Sequence, residues 1–336
     1  MSWSVGFLPV DDYGRVLGES ALRVLVGLGH PVRASEVDAG PERFRRTGTV
    51  LLDAELELLK NSDAVFVGAP AVTAPGVPRG VLERGVVFRL RSELDLYVNL
   101  RAFAGTGPAG ALDIAVVREN TEGGYIGEGG ILRRGTPHAI ATQGSVTTTF
   151  GVERCLRYAF ELASHRRQIV TLVHKANVLE FAGQLWVESF ERIAAAFPGV
   201  QSSYVDIDTA CVLLVQNPAQ FDVMVTDNLF GDIVSDLVGA LACGLDRSGS
   251  ADLNPSRTGP SLFEPLHANA ALRRTTPLDR IDPRGAFAAV ALMLEHLGEA
   301  ESAQALARAV RAVEPDRALR LRDIELAVLR ACHTGI

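Results

Sequence analysis

An α/β fold with mainly parallel strands is what this sequence predicts, on three observations. Short apolar runs alternate with segments of helical spacing along almost all of the 336 residues, the pattern of strands joined by crossover helices. Apolar residues make up 47% of the chain, enough at this length for a large core and for two domains. No repeat of roughly 20–50 residues interrupts the alternation.

The elements follow in order. Val5–Pro9 is a continuous apolar run bounded by a proline and predicts a strand buried on both faces, followed by a helix over Leu17–Leu28. Ala64–Gly68 repeats the strand pattern and Val81–Leu94 the helical one. Asp113–Val117 predicts a strand, Val152–Ala163 a helix, Ile169–Val173 a strand and Leu179–Phe197 a helix. Phe221–Thr226 and Asp232–Leu241 form the next strand–helix pair, and Gly285–Leu297 is helical. Two segments break the alternation. From Thr121 to Thr149 glycine, threonine and β-branched residues dominate without a helical period, which predicts hairpins; from Cys243 to Pro283 glycine, proline, asparagine and serine predict long loops. Alanine, leucine and arginine at helical spacing over Glu299–Cys332 predict two closing helices.

Composition excludes several classes of function. The net charge is −7 with both signs interleaved, which disfavours nucleic acid and anionic membranes as partners. The chain has no run of about 18 uncharged apolar residues and no basic, signal-like N-terminus, so a cytoplasmic location is expected. Cys155, Cys211, Cys243 and Cys332 form no Cys-x-x-Cys pair. They are expected to be reduced and buried, outside any zinc site or disulfide framework.

The stretch Thr226–Asp236 carries the sharpest chemical signal. It sets Asp232 and Asp236 at i and i+4 of a predicted helix, where side chains stack about 5–6 Å apart at Cβ and like charges repel. The neighbours Ile233, Val234, Leu237 and Val238 are apolar, so the pair asks for a compensating cation. A hard divalent ion, Mg²⁺ or Mn²⁺, fits oxygen ligands with positions left open, and Asp208 is a third candidate ligand. Arg91, Arg101 and Arg118 stand near strand or helix ends. If they converge they would clamp carboxylates through bidentate forks. Lys175 follows a predicted strand, where burial could lower its pKa enough for it to act as a base. Tyr125, in the hairpin region, alone reads as packing.

Six ordered motifs tie these residues together: Asp95-Leu-Tyr-Val-Asn-Leu-Arg101, Val117-Arg-Glu-Asn-Thr-Glu-Gly123, Lys175-Ala-Asn-Val-Leu-Glu180, Asn217-Pro-Ala-Gln-Phe-Asp-Val223, Asn228-Leu-Phe-Gly-Asp-Ile-Val-Ser-Asp236 and Leu262-Phe-Glu-Pro-Leu-His267. In sequence and spacing they resemble the β-decarboxylating dehydrogenases, the family of isocitrate, homoisocitrate, 3-isopropylmalate and tartrate dehydrogenases. The resemblance implies an isocitrate/isopropylmalate dehydrogenase-like fold, with two α/β domains around a central cleft and no Rossmann fold. Residues 1–97 and 246–336 would form a discontinuous cofactor-side domain. Residues 98–245 would form the substrate, metal and dimerisation domain, with a hairpin arm over about 121–149. It also implies that Arg91, Arg101 and Arg118 bind the carboxylates of a small 2-hydroxy acid, a (2R)-malate substituted at carbon 3. Asp208, Asp232 and Asp236 would hold Mg²⁺ or Mn²⁺, with Lys175 the general base and Tyr125 the acid. Lys175 and Asp208 would come from the neighbouring subunit of a homodimer.

Three departures from the family pattern are visible. The usual glycine-aspartate-glycine turn reads Pro9-Val-Asp-Asp-Tyr-Gly14. The cofactor-side positions implied by the resemblance are Glu264, His267, Asn269, Arg273, Arg274 and Asp282, but Leu272 stands where an acid would bind the ribose of NAD. Arg273 and Arg274 could instead pair with the 2′-phosphate of NADP, so the cofactor is NAD or NADP. On the substrate side Val87 and Phe88 offer an apolar lining, while Gly85 removes a polar partner of isocitrate and Arg84 replaces an acid. The mixture suggests a substituent that is anionic or compact. Two alternatives stay open: a dehydrogenase that does not decarboxylate, and a non-catalytic regulatory subunit of the same fold.

Overall fold

The computed structural model describes residues 2–68, 74–107, 110–242, 244–266, 276–313 and 320–334. Its strands are β1 (Trp3–Leu8), β2 (Val32–Glu36), β3 (Ala64–Val67), β4 (Val98–Gly107), β5 (Gly110–Glu119), β6 (Gly129–Leu132), β7 (Ile140–Gln143), β8 (Ile169–His174), β9 (Gln201–Asp206), β10 (Val223–Thr226), β11 (Gly249–Leu253) and β12 (Ser261–Pro265). All but β6 and β7 join one ten-stranded sheet, in the order β2-β1-β3-β12-β11-β4-β5-β10-β8-β9. The outer pairs are parallel, as the alternation predicts, while β12–β11, β11–β4 and β4–β5 are antiparallel at the centre.

The expectation of long loops over 243–283 is corrected by β11 and β12, which lie in the middle of the sheet and are buried along their whole length. Gly-Ser-Ala-Asp-Leu has no hydropathic strand signature because its small and polar residues are satisfied by neighbours. Asn99 Nδ2 donates to Ser250 Oγ at 2.7 Å and to Asp252 Oδ1 at 2.6 Å, and Arg91 Nε donates to Asp252 Oδ2 at 2.9 Å. Gly249 is required there, since a Cβ on it would sit 2.4 Å from the backbone nitrogen of Ala289.

Helices cover both faces of the sheet. They are α1 (Asp12–Gly27), α2 (Pro41–Thr47), α3 (Asp53–Lys60), α4 (Arg89–Glu93), α5 (Thr149–Ser164), α6 (Glu180–Ala194), α7 (Ile207–Gln216), α8 (Asn228–Ala242), α9 (Arg284–Leu297), α10 (Ala300–Ala312) and α11 (Leu321–Thr334). In α5, Val152, Cys155, Leu156, Ala159, Phe160 and Ala163 form the buried stripe, and the Thr148 hydroxyl caps its start by accepting from Gly151 N at 3.0 Å. The two predicted closing helices are α10 and α11.

Three local features differ from expectation. The single helix predicted over Val81–Leu94 begins as a π-helical stretch, Glu83–Phe88, and becomes α-helical only at Arg89; apolar spacing does not separate the two periods. The unusual N-terminal turn is built by Asp11, which accepts from Gly14 N at 2.8 Å and caps α1. Gly14 packs so closely on the Gly68 carbonyl that a Cβ would meet it at 1.8 Å. The expectation of uniformly buried cysteines is also corrected. Cys155 is buried, but Cys211 and Cys332 are partly exposed: Cys211 lies beside the buried stripe of α7, and Cys332 continues that of α11 into its last turn. Cys243 lies outside the described residues. The hairpin expected within 121–149 is β6–β7, whose strands are exposed throughout.

Candidate active site

The strand ends and one face of α8 bring the three arginines together. Arg101 projects from β4, Arg118 from β5 and Arg91 from α4, and all three are buried. Arg118 is 2% exposed, held by Asn228 Oδ1, which accepts from its Nε at 3.0 Å and its Nη2 at 2.7 Å. Its Nη1 donates to Asp232 Oδ1 at 2.5 Å. Arg101 Nη1 donates to Ser235 Oγ at 2.7 Å and Asp236 Oδ1 at 3.0 Å, and its buried Nε has no partner among the described residues. Asp232 and Asp236 do lie on one face of α8, and within a single chain the compensating cations are these arginines.

Burial and mutual repulsion set the charges. Burial, then the nearby Arg91, pull Arg118 down to about 10. Burial would raise Asp232, but Arg118 and Arg101 outweigh it and hold the carboxyl below its usual range. Burial prevails at Asp236 and raises it. Glu264, on β12, is pushed up to about 7 by burial and by Asp252. Tyr125, in the 3₁₀ turn Gly124–Ile126, donates its hydroxyl proton to Asp232 Oδ2 at 3.2 Å. Burial and the Asp232 charge raise its pKa, so the phenol stays protonated.

Lys175 and Asp208 stand elsewhere. Lys175 Nζ donates to Asp208 Oδ1 at 2.6 Å and lies 3.7 Å from Asp206. The expectation of a lowered lysine is corrected for the single chain: the hydrogen bond to Asp208 raises it, with too little burial to oppose it. Among the described residues no three His, Cys, Asp or Glu come together to hold a metal ion. Beside Lys175, His174 is buried against Trp186 and Phe230, its ring nitrogens without hydrogen-bond partners among the described residues. Burial lowers it to about 4 and raises Asp227, 3.6 Å away, to about 6.

The family model for isocitrate/isopropylmalate dehydrogenase matches residues 4–334. The chain belongs to that family. It is 45% identical to the 3-isopropylmalate dehydrogenase of Nocardia farcinica over 320 residues, 93% of either chain, and 46% identical to that of Beutenbergia cavernae over 318 residues, 91% of this chain and 90% of that one. Among solved structures, the isocitrate dehydrogenase of Methylococcus capsulatus superposes with a TM-score of 0.87 at 32% identity, covering 98% of this chain and 99% of that one. The β-decarboxylating dehydrogenase of Thermococcus kodakarensis, in its apo form, gives 0.81 at 31% identity, covering 99% and 96%.

Within this dehydrogenase, a cavity of about 470 Å³ opens beside Tyr125, lined also by Arg84, Phe88, Arg89, Ile126 and Gln143. Phe88 packs edge-on to Tyr125 with ring centroids 5.6 Å apart. Val87 is half-buried on the same π-helical turn. Arg89 is tied to the Leu51 carbonyl at 2.7 Å and to Asp53. Among the described residues, Arg84 meets only the Arg79 carbonyl, at 3.5 Å, and no carboxylate. Of the residues expected on the cofactor side, Glu264 stands near Arg91, Arg101 and Arg118. Asp282 accepts from Arg284 N at 3.0 Å and Nε at 2.9 Å, while His267, Asn269, Leu272, Arg273 and Arg274 lie outside the described residues. Four residues that complete the arrangement escape the sequence argument. Asn228 and Ser235 were in view beside the aspartates without a charge to mark them, Asn99 lies within a quoted motif, and Asp252 sits in a segment read as loop.

Proposed function

We propose that the protein catalyses metal-dependent, NAD(P)-linked oxidative decarboxylation of a (2R)-malate substituted at carbon 3. One observation carries the reading. Three buried arginines face two carboxylates one helical turn apart on α8, with a protonated tyrosine on the second carboxylate oxygen of Asp232. Arg91, Arg101 and Arg118 bind the malate carboxylates, and the Nε of Arg101, unpaired among the described residues, is a donor in reserve. Tyr125, kept neutral, delivers its proton to the enolate carbon once carbon dioxide has left.

Asp232 and Asp236 supply hard, half-exposed oxygens that fit Mg²⁺ or Mn²⁺. Two ligands are too few, and Asp208 of a second copy is the third, arriving with Lys175 to accept the proton of the substrate hydroxyl. A divalent ion bound there supplies the Lewis acidity that favours hydroxyl deprotonation and stabilises enolate charge. The homodimer this requires is supported by exposed apolar residues on adjacent helices, Val212 and Val215 on α7 and Leu229 and Ile233 on α8, with Ile131, Leu132 and Ile140 on the arm. The cofactor-side domain takes residues 1–97 and 246–336. Leu272 in place of an acid, followed by Arg273 and Arg274, argues for NADP.

The test is nicotinamide reduction with manganese, run on isocitrate, homoisocitrate, 3-isopropylmalate, malate and tartrate against NAD and NADP, with carbon dioxide measured. Turnover of one substituted malate with release of carbon dioxide is expected. Oxidation with no carbon dioxide would remove the decarboxylation step, and no turnover of any 3-substituted malate by metal-loaded protein would overturn the function.

A further inference from the structure

On the face of the sheet opposite Arg101 lies a second cavity of about 450 Å³, within the size range of small-molecule sites. Alternation along β4 creates it. Arg101 and Phe103 point towards α8, so Ala102 and Ala104 point to the other face. There α9 covers β11 and β12, and α5 covers β5, β8 and β10, leaving a gap over β4. Ala102 is consequently exposed although its strand is paired on both sides. Ala288, Ala291 and Leu292 of α9 complete an apolar wall, and the bare methyls of the alanines leave the volume open.

The rim is cationic. Four arginines line the cavity, Arg166, Arg247, Arg308 and Arg311, against two acids, Asp113 and Glu295. Arg166 is spent on Asp113 and Asp222, which accept from it at 2.8 and 2.9 Å. Arg247, Arg308 and Arg311 have no carboxylate partner among the described residues. Three uncompensated guanidiniums around an apolar floor are notable in a chain of net charge −7, where general electrostatics would repel anions.

We propose that this cavity is a binding site for a small organic anion, whose apolar body lies on Ala102, Ala104 and the α9 wall. Its acidic group is taken by Arg247, Arg308 and Arg311. Guanidinium forks match carboxylate, sulfonate or phosphate oxygens, and the adjoining apolar surface selects against inorganic ions, which would leave it wet. The site is separate from the malate-binding arginines because β4 lies between them.

The test uses 8-anilinonaphthalene-1-sulfonate, an apolar body with one anionic group, titrated by fluorescence into the full chain. Saturable binding that weakens as ionic strength rises is expected. The double variant Arg247→Ala/Arg311→Ala should weaken it about tenfold or more. Ala102→Leu, which fills the crevice from a position already exposed, should abolish the site while nicotinamide reduction stays near the parental rate. Inorganic phosphate at equal charge should compete poorly. Parental affinity in both variants, or binding indifferent to salt, would overturn the proposal; the arginine variant decides the matter by itself if Ala102→Leu fails to fold.

Discussion

Arg91, Arg101 and Arg118 are buried on strand and helix ends and held by Asp252, Ser235 and Asn228, whereas Lys175 and Asp208 lie near solvent and hold chiefly each other. The first group is preorganised by one chain, since its hydrogen bonds fix the guanidiniums before any ligand arrives. The second is an ion pair of the weakly contributing surface kind, and its raised lysine is in the wrong protonation state to accept a proton. One copy of the chain therefore builds a binding surface, and the proposed chemistry needs a second copy to dissolve the Lys175–Asp208 pair and redeploy both members.

The largest expected effect comes from the preorganised side. Asp232→Asn should lower turnover by roughly 100-fold or more even in saturating manganese, with an unchanged circular dichroism spectrum; near-normal activity would break the comparison by showing that α8 holds no catalytic metal. The next test crosses the two groups. Lys175→Ala and Asp232→Asn should each be inactive alone, yet chains unfolded and refolded together should recover about a quarter of parental activity, because half the dimers are hybrids with one intact site of two. Recovery of nothing would mean that each site is made by a single chain.

A third test concerns His174, next to Lys175. Its folded pKa, about 4, lies below the ordinary 6.5, so the unfolded chain binds the proton first and stability falls as pH drops from about 6.5 towards 4. The loss amounts to roughly 3 kcal/mol at pH 4 for this one group. Asp227, raised to about 6, pulls the other way over the same window, so the melting temperature near pH 4, relative to that near pH 7, should be higher in His174→Gln than in the parent, and parallel curves for parent and variant would refute the burial argument. The smallest effect is at the cavity beside Tyr125. Arg84→Ala should shift the ratio of kcat/KM between malates with anionic and with apolar substituents by about tenfold against the anionic ones, read from initial rates. An unchanged ratio would leave Arg84 outside the substrate pocket.

The contrast also marks what the sequence could disclose. The spacing of Asp232 and Asp236 was legible because helical geometry converts i,i+4 directly into a shared face, and β1, β3, β5, β8 and β10 were legible as apolar runs, unlike β4 and the polar edge strands β2 and β9. β11 and β12 were not, because their polar residues are buried by partners as distant as Arg91. The state of Lys175 was equally hidden: it depends on Asp208 of α7, beyond α6 and β9 in the chain, and local pattern carries no sign of that hydrogen bond. The convergence of the arginines rests on the order of strands in the sheet, which the motifs imply only through resemblance.

The central position of β11 and β12 bears on how the chain is made. β3 and β4 each keep an open edge until residues 249–265 arrive to fill the space between them. A ribosome that has just finished β10 thus exposes two open strand edges, on β3 and β4, that must wait for the last third of the polypeptide. Such late, long-range closure slows folding and invites association between nascent chains. Truncations ending before Pro265 should therefore be recovered with chaperones or in inclusion bodies, as fragments whose seam was never closed.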